Sequence, residues 1–265
     1  MLSSLKEVLS DVLSRTKMEA ASLYLDFDGT LAPIAPEPSE ARLDESVRRA
    51  LTRILGMKRM AVGVISGRAL VDLQRRVGVD GLVYAGNHGL EILGNGLRFV
   101  DPVALSAMDE LHEVSKQLLL SLWQIPGVRF EEKRLTTVVH YRLVTNVHLC
   151  KIRDAVKEAV APYAPKLRIF SGQKSIEILP RTKWNKRAAI LWINNLLGIP
   201  AGSAIYAGDD ATDEDAFKAL RGGVTIRVGT CERTWARYVL SGPGEVRRLL
   251  EGIAGTEEQL KPNET

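Results

Sequence analysis

The stretch SLYLDFDGTLAPIAPEP, residues 22–38, decides how the chain is read. Its first half is an unbroken apolar run of strand length, and its second half carries too many prolines for strand or helix. Two carboxylates, Asp26 and Asp28, stand at the junction with only Phe27 between them. Burying an ionised carboxylate is costly unless a partner compensates. Two acids at the end of a buried strand therefore imply a cation, a proton-transfer task, or both. The strand period of two puts both side chains on the same side.

Working outward, apolar runs alternate with helical patterns. Strands are expected at 22–27, 60–65, 82–86, 203–207 and 223–228, and helices near 44–56, 69–77, 184–197, 212–220 and 244–253. This βαβα order predicts an α/β fold with a Rossmann-like parallel sheet covered by helices on both faces. The middle of the chain reads differently. A helix is expected over 104–123, strands within FEEKRLTTVVHYRL (130–143), a helix near 147–160 and strands within LRIFSGQKSIEIL (167–179). That pattern predicts an α/β (α+β) insert over 102–180, with the core built from 1–101 and 181–265. The N-terminal MLSSLKEVLSDVLSRTK reads as a short amphipathic helix, and the polar tail GTEEQLKPNET as a frayed end.

Composition narrows the class. The chain has 265 residues, 45% of them apolar and 26% charged, and a formal net charge of +4. The basic residues are interleaved with acidic ones, which argues against a nucleic-acid surface. No run is long and apolar enough for a membrane span, and no leader pattern is present, so the chain reads as cytoplasmic. It is taken as a monomer, with no sequence feature that decides oligomeric state. Cys150 and Cys231 have no metal or redox spacing and are expected to be buried small apolar residues.

In an open parallel sheet, ligands bind beyond the carboxyl ends of the strands. There the sequence places Asp26-Phe27-Asp28-Gly29, Ser66-Gly67-Arg68, Gly86-Asn87-His88-Gly89 and Gly208-Asp209-Asp210, and Lys186 starts a nearby helix. Acids, a hydroxyl and a lysine on one rim suit a divalent cation and a phosphate. Asp26 then reads as a nucleophile and Asp28 as the acid/base. Ser66 and Lys186 read as phosphate-binding groups, and Asp26 and Asp209 as ligands to Mg²⁺. Each residue alone has an ordinary structural role, as a turn, cap or surface charge. Their order along the chain carries the reading.

That order resembles the haloacid dehalogenase superfamily of phosphatases. YLDFDGTLAPI, VISGR, GNHGLEI, HYR, KSIEILPRTKWNK and YAGDDATDEDAF together resemble its trehalose-6-phosphate phosphatase family, over residues 24–217. The resemblance implies a Mg²⁺-dependent hydrolase acting on trehalose 6-phosphate through an aspartyl-phosphate. Another sugar or glycosyl phosphate is the alternative, followed by a phosphotransferase or a non-catalytic sugar-phosphate sensor. It implies that the insert over 102–180 is a cap domain. It implies a catalytic set of Asp26, Asp28 and Lys186, and phosphate binding by Ser66 and Lys186. It implies metal ligation by Asp26, Asp28, Asp209 and Asp210, with Asp213 close by. It also places His88 beside the site, and Lys133, Arg142, Lys174 and Glu177 of the cap toward the sugar, with Arg142 and Glu177 expected on alternating cap strands. Two positions depart from the pattern: Arg187 where the family usually has Gly, and Asn185 where an aspartate is common.

Overall fold

The computed structural model describes every residue except Met1, Glu19, Pro36, Gln173 and 257–265. Most of the expected polar tail therefore lies outside the described residues. The chain divides into two compact units, Met1–Phe99 with the segment from Trp184 onward, and Val100–Lys183. In chain order the strands are β1 (Ala21–Leu25), β2 (Met60–Ile65), β3 (Val83–Gly86), β4 (Glu91–Gly94), β5 (Leu97–Val100), β6 (Arg129–Glu132), β7 (Thr137–His140), β8 (Leu167–Gly172), β9 (Ser175–Pro180), β10 (Ala204–Gly208), β11 (Val224–Val228) and β12 (Tyr238–Leu240).

The first unit is built on a sheet of order β12-β11-β10-β1-β2-β3-β4-β5. The six strands from β12 to β3 pair in parallel. β4 then turns back antiparallel to β3. Every residue of β1 is buried, as expected for a central strand covered on both faces. Leu23 and Leu25 pack on one side with Val8, Val12, Leu51, Leu73, Leu249 and Leu250, which come from helices Leu5–Thr16, Glu45–Leu55, Leu70–Val77 and Pro243–Gly255. Tyr24 packs on the other side with Ile190, Ile193, Tyr206 and Phe217, beneath helices Lys186–Leu196 and Glu214–Ala219. The expected doubly covered α/β sheet is present.

Strand order reverses between β1 and β10. From β1 the chain runs to β2 and β3 on one side, and from β10 to β11 and β12 on the other. The crevice at such a switch point is where an open α/β sheet takes its ligand. Asp26 and Asp209 directly follow these two strands.

The second unit is a four-stranded antiparallel sheet, β6-β7-β9-β8. Val139, Ile176 and Ile178 face helices Met108–Leu122 and Leu149–Val160 through Leu111, Val114, Leu118, Ile152 and Val156. Period-two alternation leaves Glu177 on the opposite face, where it pairs in register with Val138 and Phe170.

Three expectations are corrected. The helix expected over 104–123 is broken at Ala107 (φ −105°, ψ 6°) into Pro102–Ser106 and Met108–Leu122. Arg142 lies beyond β7 in a turn, because the ladder stops at His140. Cys150 and Cys231 are exposed rather than buried. Cys150 faces away from the buried stripe of its helix, which runs through Ile152, Val156, Ala159 and Val160. Among the described residues, no helix is long and apolar enough to cross a membrane.

Candidate active site

The site begins with the backbone at the end of β1. The Asp26 N–H donates to the Ala207 carbonyl of β10 at 2.9 Å, which carries the parallel ladder one residue past the strand. Asp26 Oδ1 accepts the Phe27 N–H at 2.7 Å, and Oδ2 accepts from Lys186 Nζ at 2.9 Å. The chain then turns sharply through Gly29, whose φ is +77°. A side chain there would be strained by that angle and would also collide with the Asp209 carboxylate. Gly29 thus lets the two acidic strand ends meet. Thr30 Oγ1 donates to Asp209 Oδ1 at 3.4 Å across the same junction.

Lys186 is the first residue of its helix, and Asn185 caps it by accepting the Ala188 N–H at 3.0 Å. Asparagine serves as well as aspartate at an N-cap, so this departure from the family pattern keeps its capping role. Lys186 is 2% exposed and bonds Asp213 Oδ1 at 2.8 Å as well as Asp26. Arg187, the other departure, is exposed.

Asp213 is fully buried and heavily bonded. Its Oδ1 also accepts from Tyr206 Oη at 2.5 Å, and its Oδ2 accepts the Asp210 N–H at 2.9 Å. Oxygens of Asp26, Asp209 and Asp213 lie within 4.8 Å of one another. Burial pushes Asp26 well above the carboxylate range; Lys186 pulls it back, while Asp213 and Asp209 push it further up. Burial also pushes Asp209 up to about 7, with Asp213 adding to the effect. Burial alone would lower Lys186, but Asp213 and Asp26 reverse this and hold its ammonium above the usual lysine range.

Three converging carboxylates are the donor set of a hard cation, which takes oxygen ligands. The residues present therefore fit Mg²⁺. Asp26 and Asp209 would hold it. Asp213, already bonded to Lys186, Tyr206 and Asp210, stands behind them. Asp210 is placed differently from its sequence expectation: its carboxylate accepts the Ala211 N–H and caps the next turn. The Asp28 carboxylate also stands outside the converging trio, held by Arg68.

Ser66 follows β2 and is 1% exposed. Its N–H donates to Ala85 of β3, and its hydroxyl accepts the Arg68 N–H at 3.2 Å. His88 follows β3 and donates its N–H to the Ser66 carbonyl at 2.9 Å. Its ring lies over Gly67 so closely that a Cβ there would stand 2.6 Å from His88 Cε1. The loops after β2 and β3 are thereby locked together, which keeps Ser66 and His88 at adjacent strand ends.

In the second unit, Lys133 and Glu177 are both buried, with Lys133 Nζ 3.4 Å from Glu177 Oε1. Lys174 is exposed in the turn between β8 and β9 with a φ of +60°, and its carbonyl accepts the Tyr141 N–H at 3.0 Å. This contact puts Lys174 and the turn of Arg142 at one end of the β7–β9 pairing, away from Glu177. His140 bonds Glu131 at 2.9 Å on the sheet face shared with Glu177.

Tyr206 and Arg68 had no role assigned from sequence. Tyr206 lies two positions before Gly208, on the strand that delivers Asp209. Arg68 lies two after Ser66. Their partners are remote in sequence or across a turn, so spacing alone gave no signal.

The chain is similar to known proteins over most of its length. A family model described as trehalose-phosphatase matches residues 24–243. The chain is 36% identical over 250 residues to a trehalose-phosphate phosphatase of Mycobacterium avium (strain 104), covering 90% of this chain and 63% of that protein. It is 32% identical over 271 residues to a trehalose 6-phosphate phosphatase of Zea mays, covering 95% and 74%. The crystal structure of a trehalose-6-phosphate phosphatase related protein superposes with a TM-score of 0.80 at 26% identity, covering 91% of this chain and all of that one. The chain thus spans somewhat under two thirds of the mycobacterial relative.

Proposed function

The chain belongs to the trehalose-phosphatase family, and we propose that it is a phosphoric monoester hydrolase releasing phosphate from trehalose 6-phosphate. The observation that carries this reading is Lys186 bridging Asp26 and Asp213 at 2.9 and 2.8 Å beside Asp209, at the switch point of the sheet.

The residues divide the chemistry as follows. Asp26, oriented by the Phe27 N–H and Lys186, attacks phosphorus. An Asp26 oxygen–phosphorus bond forms and the bond to the sugar oxygen breaks. Asp28 gives its proton to the departing sugar oxygen. In the second half, Asp28 takes a proton from water as that water attacks phosphorus, and the Asp26–phosphorus bond breaks. Ser66 and Lys186 bind phosphate oxygens, and Lys186 offsets charge that develops there. A bound Mg²⁺ would offset the repulsion between the phosphate dianion and the Asp26 carboxylate.

Glu177 and Lys133, buried on the polar face of the second sheet, are proposed to read sugar hydroxyls, with His88, Arg142 and Lys174 as further sugar contacts. The partner is a small sugar phosphate, and the working compartment is the cytoplasm.

The test is phosphate release from a panel of sugar phosphates, with Mg²⁺ and in excess chelator. Trehalose 6-phosphate should be hydrolysed far faster than glucose 6-phosphate, and only with the metal. Equal rates on the two sugars would leave a general sugar phosphatase. No phosphate release from any member would refute the hydrolase reading.

A further inference from the structure

Asp28 is not left to find its own position. Arg68 grips it with two parallel bonds, Nε to Oδ2 at 2.6 Å and Nη2 to Oδ1 at 2.7 Å. Such a fork fixes both the place and the plane of a carboxylate. Arg68 is buried while Asp28 is part-exposed, so the buried partner sets the geometry. The Arg68 guanidinium also lies 5.3 Å from the centre of the Phe27 ring, the residue between the two acids. Its main chain is fixed too, by Ser66 Oγ and by the Asn87 N–H, which donates to its carbonyl at 2.7 Å.

The remaining arm of the fork points away from the site. Arg68 Nη1 donates to Asp72 Oδ2 at 2.9 Å, from the first turn of helix Leu70–Val77. Asp72 also accepts from Arg76 Nε and from Arg75 Nη2, both at 2.7 Å. Arg76 in turn donates to the carbonyls of Ala41 and Ser39 at 2.7 and 3.2 Å, in the segment that follows the catalytic strand. Burial works against the Asp72 anion, yet Arg76, Arg68 and Arg75 hold its carboxyl down at about 2, so it is charged at any working pH.

We propose that Asp72 is a positioning residue for the reaction: by anchoring Arg68 to the helix it fixes the Asp28 carboxylate where the leaving oxygen must receive its proton. This rests on the phosphatase reading above. An arginine side chain has several rotatable bonds, and each further contact narrows the positions it can share with the part-exposed Asp28. The anchor at Nη1 ties the guanidinium to a helix and narrows that freedom. A displacement of about 1 Å at such a group is enough to slow a reaction substantially.

The leaving group supplies a readout that a purely structural role would not move. A sugar alkoxide needs the proton from Asp28, phenolate needs it less, and 4-nitrophenolate departs without it. The experiment measures kcat/KM, which covers only the steps up to phosphoryl transfer, on trehalose 6-phosphate, phenyl phosphate and 4-nitrophenyl phosphate. Asp72→Asn should lose ~10-fold or more on the sugar phosphate, less on phenyl phosphate and under ~3-fold on 4-nitrophenyl phosphate. Asp72→Glu should recover part of the loss. Arg75→Ala, which removes an exposed partner of Asp72, should behave as the parent. Arg68→Lys breaks the same link from the other end and should show the same graded loss, so the question is answered even where D72N folds poorly. Equal losses on all three substrates, or none, would overturn the proposal while leaving the phosphatase reading intact. A parent chain inactive on all three would remove that reading and this inference with it.

Discussion

Lys186 Nζ stands 2.9 Å from Asp26 Oδ2, although 160 positions separate the two residues. Lys186 is 2% exposed and Asp26 5%, so neither charge has water to fall back on. An ion pair this buried is stabilising only while both partners and their other bonds are present. Lys186→Met should therefore lower turnover by roughly 10²–10³-fold, the usual loss when a charge-stabilising group is removed. It should also lower Tm, because Asp26 and Asp213 lose their shared cation. Wild-type turnover in the variant would remove Lys186 from the mechanism.

Asp209 links the metal to stability. Its carboxyl ionises near 3.8 in the unfolded chain and at about 7 in the fold, chiefly through burial. The folded state therefore keeps a proton that the unfolded chain has released, and metal-free stability falls as pH rises through that window. Asp209→Asn carries no such burden. Without metal the variant should be more stable than the parent near about pH 7.5, by on the order of 1–2 kcal/mol after allowance for coupling to its neighbours. The advantage should vanish toward about pH 4. Added Mg²⁺ should raise the Tm of the parent and not that of the variant. Thermal melts across pH, with and without metal, test both halves.

Substrate choice is expected to lie in the second unit. Glu177 is 7% exposed and lies 3.4 Å from Lys133. Truncation to alanine would remove a buried carboxylate beside the Lys133 ammonium and leave a gap, so Glu177→Gln is the cleaner change. It should weaken kcat/KM on trehalose 6-phosphate by roughly 1–3 kcal/mol of transition-state stabilisation and leave 4-nitrophenyl phosphate nearly unchanged. Parallel losses on both substrates would make the residue structural.

Asn185 is predicted to matter through its neighbour. Removing its bond to the Ala188 N–H by Asn185→Ala should cost about 1 kcal/mol of stability. Asn185→Asp should keep the cap and the Tm. Loosening the first turn should also displace Lys186, so N185A should show a fall in kcat larger than its change in KM. Unchanged kinetics with a lowered Tm would confine the cap to stability.

The parts of the fold that were legible in the sequence share a physical cause. Strands β1, β2, β3, β10 and β11 are buried on both faces, so they stand out as continuous apolar runs, and each ends at a turn residue or an acid. Strands β4, β5 and β12 were missed. They are three or four residues long, too short for a clear period, and β5 at one edge of the sheet has no buried residue, which weakens the signal. The ending of β7 at His140 was equally silent, and with it the turn that carries Arg142. At the site, residue types were readable but partnerships were not. Asp28 and Arg68 are 40 positions apart, and only the β1–β2 pairing brings them together. Asp213, not Asp210, completes the converging trio, because Asp210 spends its carboxylate on the Ala211 N–H.

The central claim is that Asp26 takes the phosphoryl group. The most direct measurement is an acid quench of the enzyme during turnover of trehalose 6-phosphate with Mg²⁺, followed by peptide mass spectrometry. Phosphate should be found on the peptide that carries residues 22–30, at Asp26, and in Asp26→Asn both the adduct and turnover should fall by roughly 10⁴-fold or more. Turnover near the parent rate in the Asp26→Asn variant, or an adduct on any other residue, would contradict the account.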